Sequence, residues 1–266
     1  MRRYPVYIYL LLIVLAVAVT GIISPHSPYT IELNAILQSP SFTHWLGTDE
    51  LGRDILVRIG QGVWLSALVG CVVACSTATL GITIGLVSGY FGGWVDQLLM
   101  RITDTFLAFP GILLAIAFTA LAGPSLTNVL IALSLMGWVG FARLARAQVL
   151  GLKQSDFVSA AQLSGQRNRS ILLRYILPNA ATPLIIEFTF AMAGAIVAEA
   201  GLSFLGLGVQ APTPSLGAML KEGARYMLVA PHAVLAPGMV LMTIVLTINL
   251  IGDSLRNHLD KRDSNA

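Results

Sequence analysis

Two carboxylates inside an apolar run are the residues of this chain best placed for chemistry. Glu187 and Glu199 lie in the run 183–207, where an acidic side chain is expensive unless it faces water, an ion or a proton. They are twelve residues apart, so on a helix they point about 120° apart and do not share one ion. They indicate either an ion-coupled path or, as we favour for Glu199, a structural position at the outer end of a path.

A second acidic group stands in a polar stretch between two apolar runs. Asp49, Glu50 and Asp54 offer oxygen ligands, but no histidine lies at a spacing typical of a metal site. We therefore predict no metal there. The apolar residues that follow Asp49 instead predict a short helix at the membrane surface, capped by Thr48 or Asp49.

The sequence contains neither a nucleotide-binding loop nor a nucleophile beside a base. Gly201, Gly206 and Gly208 form a glycine-rich stretch, but no Lys-Ser or Lys-Thr follows them. The four histidines fall in predicted loops or in the tail. We predict no enzyme site and no cofactor, and we expect that this chain does not hydrolyse ATP by itself.

The composition indicates an integral membrane protein. Of its 266 residues 56% are hydrophobic and only 11% are charged, and the mean hydropathy is +0.78. A water-soluble domain needs far more charge to cover its surface. The net charge of +3 needs no nucleic-acid partner, because charged loops of a membrane protein account for it.

Six apolar runs are long enough to cross a bilayer, which takes roughly 20 residues of helix. They are too uniformly apolar for barrel strands, so we predict an all-α fold with six transmembrane helices. Pro110 and Pro237 should kink the third and sixth spans. The runs are 6–23, 63–87, 105–122, 126–142, 183–207 and 233–251.

The positive charges predict the orientation of these helices. With both termini in the cytoplasm, only Arg53, Arg58, Lys221 and Arg225 of the 16 Lys and Arg residues lie outside, as the positive-inside rule requires. This arrangement gives a first transmembrane helix at 1–24, an external loop with an interfacial helix at 25–62, a transmembrane domain at 63–253 and a cytoplasmic tail at 254–266.

Three local patterns complete the description of the spans. The first run resembles a cleavable signal peptide near Ala18 but continues to position 23, which favours an uncleaved anchor. Cys71 and Cys75 are predicted to be packing residues rather than a disulfide or a metal site. Arg101 and Asp104 are predicted to pair at i, i+3.

Small residues recur on one side of the second run. Gly81, Gly85 and Gly89 follow one another at four-residue spacing. Helices in lipid pack closely where small residues let their backbones approach. We therefore predict that these glycines form a helix-packing face.

A polar, basic segment, about 150–179, separates the fourth and fifth runs, and we call it the coupling segment. Ser155 or Asp156 should cap a short helix that ends at Gly165 in the left-handed conformation. A second short helix should start near Asn168 and stop before Pro178. Two short helices around a glycine predict a compact knob at the cytoplasmic surface.

The residues of this segment resemble the cytoplasmic coupling loop of ABC importer permeases. The family pattern is Glu-Ala-Ala, three residues, Gly, nine residues, Ile, any residue and Leu-Pro. Here the corresponding residues are Ala160, Ala161, Gly165, Leu177 and Pro178. Ser159 replaces the family's Glu, and Tyr175 replaces its Ile, which puts an ionic role at position 159 in doubt but leaves the packing residues intact.

Three further strings narrow the resemblance to the dipeptide, oligopeptide and nickel branch of these permeases. They are Leu-Gly-Thr-Asp-Glu-Leu-Gly-Arg-Asp from Leu46, Glu-Ala-Gly-Leu-Ser-Phe-Leu-Gly-Leu-Gly from Glu199, and Ile-Gly-Asp-Ser-Leu-Arg from Ile251. The resemblance extends from about Trp45 to Asp260. It implies a type I, binding-protein-dependent permease subunit in the bacterial cytoplasmic membrane.

The resemblance also implies the partners and the cargo. Such a permease pairs with a second homologous permease in the lipid membrane, two ATP-binding subunits dock below, and an extracytoplasmic substrate-binding protein delivers from outside. The charges of the coupling segment leave two interpretations open: Arg167, Arg169 and Arg174 could pair with acidic groups of a partner, or they could simply follow the positive-inside rule. The cargo is expected to be a peptide, nickel or a metal chelate, and the tail from Leu255 to Asp260 tilts slightly toward nickel.

One function of a different class stays open from the residues alone. An ion-coupled secondary transporter would use Glu187 or Glu199 to carry protons. That hypothesis leaves the cytoplasmic knob without a purpose, and the chain shows no evident inverted repeat.

Overall fold

The computed structural model describes residues 4–24 and 27–263, and every element named in these ranges is helical. Two of the basic residues predicted to lie in the cytoplasm, Arg2 and Arg3, lie outside the described residues. The all-α prediction is confirmed. The helices are α1 (Tyr4–Ile23), α2 (Ile55–Phe91), α3 (Gly93–Leu107), α4 (Gly111–Ala122), α5 (Leu126–Leu152), α6 (Asp156–Leu163), α7 (Asn168–Ile171), α8 (Leu177–Asn179), α9 (Ala181–Leu205), α10 (Leu216–Ala224) and α11 (His232–Asp263).

Four helices of the described chain are long and apolar enough to cross a membrane: α2, α5, α9 and α11. The pair α3 and α4 makes a fifth span if the two are counted together, and α1 contributes a shorter apolar stretch, Val6–Gly21. Each of the six predicted runs thus lies mostly in helix, while the count of six spans stays a prediction.

The third predicted span is not one kinked helix. α3 and α4 meet at 77° across a short break, and Pro110 occupies the N-cap position of α4. Proline cannot donate the backbone hydrogen bond that would continue α3, but it begins a new helix without penalty. The predicted run 105–122 therefore combines the end of one helix with the whole of the next.

The core of the bundle is the contact between α2 and α5. α2 is 37 residues long and buries small side chains along most of its length, including Val69, Ala74 and Ala78. α5 meets it with Ala142, Ala145 and other buried residues. α9 and α11 pack on the outer part of α2 together with α1, where Ile55, Ile59 and Ile196 form a buried cluster.

The start of α2 differs from the prediction. The N-cap is Asp54, whose Oδ1 accepts a hydrogen bond from the backbone N–H of Val57 at 3.0 Å. No separate surface helix begins at Thr48 or Asp49. Residues 48–54 instead form a turn closed by a bridge between Thr48 and Asp54, because the side chains there are used in ion pairs.

The bundle has two ends that differ in the elements they gather. The inner end, where α2 and α5 finish and α6 begins, is the end that the charge distribution predicts to be cytoplasmic. The outer end holds the segment before α2, the C-terminus of α9 and the whole of α10.

Candidate functional site

The knob at the inner end is built by α6 and a left-handed glycine. Gly165 has φ +72°, and its N–H and that of Gln166 donate to the carbonyls of Gln162 and Ala161 at 3.0 and 3.1 Å. This pair of bonds is a Schellman ending, which the sequence predicted from Gly165. Ser155 occupies the N-cap position but does not cap α6, because its hydroxyl donates to the carbonyl of Leu152.

One side of the knob is anchored in the bundle. Val158 and Ala161 of α6 are buried together with Ile171, Leu86 and Val149, which belong to α7, α2 and α5. A polar tie lies beside this cluster. The Tyr90 hydroxyl donates to Asn168 Oδ1 at 3.0 Å, and Lys153 Nζ donates to the Tyr90 carbonyl at 2.6 Å. The knob is therefore packed directly against the inner ends of α2 and α5.

The other side of the knob is open. Ala160, Gly165, Arg167 and Arg169 are exposed, and Leu163 is 90% exposed. A Cβ added at Gly165 would meet no atom within 4 Å. The two alanines of the motif thus have different surroundings, because Ala161 packs inward while Ala160 belongs to the exposed surface.

The second half of the coupling segment continues past Pro178, contrary to the prediction that its helix stops before that residue. α7 runs through a π-helical turn, Leu172–Ile176, into α8, where Pro178 occupies the first turn. The wider π-turn shifts the hydrogen-bond register, and the missing N–H of a proline in a first turn has no intrahelical partner to lose. Leu177 is half-buried and packs on the cluster around Ile176, whereas Pro178 is exposed.

The charges near the inner end pair between helices rather than within α3. Arg143 of α5 donates to Asp104 Oδ1 at 2.5 Å, so the predicted pair of Arg101 with Asp104 is wrong. Arg146 holds both carboxylate oxygens of Asp96 at 2.6 Å. Helix α3 is amphipathic, and its acids find arginines on α5 because the two helices run side by side there.

The three predicted packing glycines of α2, Gly81, Gly85 and Gly89, all face α5. A Cβ at Gly81 would lie 2.3 Å from the carbonyl oxygen of Trp138, and one at Gly85 would lie 2.4 Å from that of Ala142. At Gly89 the nearest atom would be the Cβ of Val149, at 2.8 Å. Any side chain at these positions would have to displace the backbone or core of α5.

Glu187 and Glu199 lie in different environments of α9. Glu187 is half-buried and lies close to Gly140 of α5, where an added Cβ would lie 3.2 Å from Oε1. Within the described ranges no side chain forms an ion pair or hydrogen bond with Glu187.

Glu199 is fully buried near the outer end. The Ser203 hydroxyl donates to its Oε1 at 2.7 Å and in turn accepts from the N–H of Val209 at 3.2 Å. Its Oε2 has no partner among the described atoms. The carboxyl group therefore helps to hold the chain that leaves α9.

A cluster of charges at the outer end was missed by the sequence reasoning. Arg53 Nε donates to Asp49 Oδ2 at 2.7 Å, and Arg58 bonds the same oxygen. Both arginines also reach Glu222 Oε2 on α10, at 3.3 and 3.1 Å. Arg58 is only 2% exposed. The available signal was that Arg53 and Arg58 are two of the four basic residues predicted to lie outside.

Two further acids of the outer segment, Asp54 and Glu50, also interact with neighbouring charged or titratable side chains. His44 Nδ1 lies 2.8 Å from Asp54 Oδ2. Burial raises the pKa of Glu50 above its usual range, and the nearby carboxylates of Glu222 and Asp49 raise it further. The part of the chain that the structure describes contains no cluster of three His, Cys, Asp or Glu side chains arranged for a metal ion.

Comparison with known families gives one match over most of the chain. Residues 81–264 match the family described as "Binding-protein-dependent transport system inner membrane component". This range contains Gly81, Gly85 and Gly89, the coupling segment, Glu187 and Glu199.

Two curated proteins are similar along most of the sequence. The chain is 44% identical over 226 residues to the dipeptide transport system permease protein DppC of Alkalihalophilus pseudofirmus, covering 85% of this chain and 74% of that protein. It is 42% identical over 253 residues to the glutathione transport system permease protein GsiD of Escherichia coli, covering 95% of this chain and 84% of the relative.

A solved structure shares the fold. A chain from the structure titled "Inward facing conformations of the MetNI methionine ABC transporter" matches 75% of this chain and 95% of its own length, with a TM-score of 0.60 and 19% identity. At this identity the likeness concerns the arrangement of helices alone.

Proposed function

The chain belongs to the family of binding-protein-dependent transport system inner membrane components, and we propose from this membership that its cargo is a short peptide. It is a permease subunit of an ATP-driven importer, a multi-pass protein of the bacterial inner membrane and not itself an enzyme. ATP-binding subunits and a substrate-binding protein are its partners by family. The ion-coupled alternative has no support.

The observation that carries the peptide proposal is the identity of 42–44% with permeases named for dipeptides and for glutathione. Both cargoes are short peptides with a free amino group and a free carboxyl group. Neither of these relatives is named for nickel, so the slight resemblance of the C-terminal tail to nickel permeases has no support from them. A second homologous permease, packed in the lipid beside this chain, would complete the path.

We propose that the coupling segment is the surface on which an ATP-binding subunit acts. Leu163, Ala160 and Gly165 form the exposed surface, with Arg167 and Arg169 beside them. The opposite side packs on the ends of α2 and α5 through Val158 and Ile171. Force applied to the exposed side would therefore reach these two long helices of the bundle directly.

The test of the cargo is uptake in a strain that lacks this chain, with labelled dipeptide, labelled glutathione and labelled nickel measured side by side. A loss of peptide uptake, restored by the intact gene, supports the proposal. A loss of nickel uptake alone would show that the cargo is a metal ion rather than a peptide. Unchanged uptake of all three would overturn the assignment of cargo.

The test of coupling compares two substitutions at Gly165. Valine is strained at φ +72°, at a cost of roughly 1–2 kcal/mol, whereas asparagine tolerates this conformation. We expect Gly165→Val to lower the amount of peptide transported per ATP hydrolysed, while Gly165→Asn stays close to wild type. Equal coupling ratios for the two variants would remove the role of this turn.

A further inference from the structure

Two faces of the bundle differ in polarity, and the first is the apolar surface expected to touch lipid. α1 carries no charged residue between Val6 and Gly21, and the exposed side of α2 presents Leu68, Val72 and Leu80. A second face, which we call the open face, is formed by exposed and half-buried residues of α4, α5, α9 and α11. It includes Gly140, Glu187, Phe190, Gly194 and Asn249.

The geometry of α9 aligns these residues. At 100° per residue, Glu187, Phe190, Gly194 and Gly201 lie within about 60° of one another around the helix. The last three line a groove of about 540 Å³, whose other walls include Ile112 of α4 and Asn249 of α11. An added Cβ would meet nothing within 4 Å at Gly194 or at Gly201, so the groove is wide there.

Charge is concentrated at the inner part of the open face. Glu187 has no cationic partner in the described chain, and Arg143, one turn beyond Gly140 on α5, is bound to Asp104. Arg143 and Asp104 have side chains that are 54% and 61% exposed. Both lie just outside the predicted spans, whereas Glu187 lies within the run 183–207, where a carboxylate is stable only when it faces water or a partner. This position of Glu187 indicates that the face borders water rather than lipid.

Glu187 is half-buried and lies beside Gly140, which is exposed. Gly140 opposite has no side chain, and even a Cβ there would come within 3.2 Å of Oε1. Asn249 lies about one turn of α11 outward from Gly252, which packs against Thr189 of α9. Asn249 lines the groove itself, and Glu187 lies about one turn of α9 inward from Phe190, on the same side of the helix as this lining residue.

We propose, on the basis of the peptide cargo proposed above, that Glu187 receives the α-ammonium group of the peptide as it passes along the open face. A peptide carries this positive charge at neutral pH. A carboxylate without a competing cation attracts it, and the partial exclusion of water in the groove strengthens the interaction. Asn249 complements the cargo with an amide that both donates and accepts hydrogen bonds.

The first test asks whether position 187 faces water. Glu187→Cys is made in the complete transporter with Cys71 and Cys75 replaced by serine, and its reaction with a membrane-impermeant thiol reagent is followed. The control is Ile185→Cys, because Ile185 is 47% exposed but lies on the opposite side of α9. We expect only the variant at 187 to react, and a dipeptide delivered by its binding protein to slow the reaction.

The second test asks whether the charge acts on the cargo. Glu187→Gln should lower dipeptide uptake roughly tenfold, which is the effect of losing one hydrogen bond to a charged group. Glu187→Asp keeps the charge and should retain much more of the wild-type uptake. ATP hydrolysis stimulated by the binding protein should be unchanged in both, which a merely structural role would not predict.

The outcomes separate this inference from the proposal on which it rests. If the wild-type transporter takes up no peptide, the proposed cargo fails. If it takes up peptide and Glu187→Gln does so equally well, or the cysteine at 187 is as unreactive as its control, only the role of Glu187 fails. A variant that does not assemble leaves the labelling result to decide.

Discussion

Arg58 and Glu222 are 164 residues apart in the sequence, and their side chains meet at 3.1 Å at the outer end of the bundle. The same carboxylate oxygen of Glu222 lies 3.3 Å from Arg53. One acid on α10 thus ties together the turn before α2 and the first turn of α2 itself. This network joins the segment that enters the bundle to the segment between α9 and α11.

The first prediction concerns this network. Glu222→Gln leaves two nearly buried arginines with Asp49 as their main partner, and a buried cation that loses its partner is strongly destabilising. We expect a loss of about 2–3 kcal/mol, since Glu222 itself remains partly hydrated. Thermal unfolding of the purified complex measures it. Glu32→Gln, at an exposed acid with no ion pair in the described chain, is the control and should change little.

How much of the structure could be predicted from the sequence depends on how far apart along the chain the interacting residues are. The left-handed turn at Gly165 is specified by a few neighbouring residues, so the sequence predicted it. The partners of Arg58 are set by the packing of α10 on the bundle, which no local pattern encodes. The same reason explains why Asp104 was assigned to Arg101 three residues away rather than to Arg143 on another helix.

The second prediction is a pH dependence at Glu50. Burial, Glu222 and Asp49 raise the pKa of this carboxyl in the folded chain. The folded state therefore binds the proton more tightly than the unfolded chain, and this contribution is lost as the pH rises through the raised pKa. Glu50→Gln should unfold at a higher temperature than wild type in neutral buffer and at a similar temperature in acid. Parallel melting curves at every pH would contradict it.

The third prediction concerns the contact between α2 and α5. Gly85→Ala forces a methyl group to within 2.4 Å of the Ala142 carbonyl oxygen, so the helices must separate, at a cost of about 1–3 kcal/mol. Gly151→Ala is the matched control, because its added methyl group meets nothing within 4 Å and alanine favours a helix by about 0.5–1 kcal/mol. We expect a lower melting temperature and yield for the first variant only. Equal stability of the two would show that this interface yields easily.

The fourth prediction separates shape from charge at Glu199. Its Oε1 accepts from Ser203, whose hydroxyl holds the N–H of Val209, and no cation of the described chain pairs with the carboxyl group. Glu199→Gln preserves the acceptor and the volume, so we expect assembly and uptake within about twofold of wild type. Glu199→Ala removes the acceptor and leaves a cavity, so the chain leaving α9 should loosen and the complex should unfold at a lower temperature.

The measurement for Glu199 is peptide uptake beside complex yield and melting temperature for both variants. If the carboxyl group is structural, uptake, yield and melting temperature should all fall in Glu199→Ala. All three should stay close to their wild-type values in Glu199→Gln. If Glu199→Gln assembles and melts as wild type but loses uptake, the negative charge itself acts in transport. The proposed division of roles, with Glu187 facing the cargo and Glu199 holding the outer end of α9, would then be wrong.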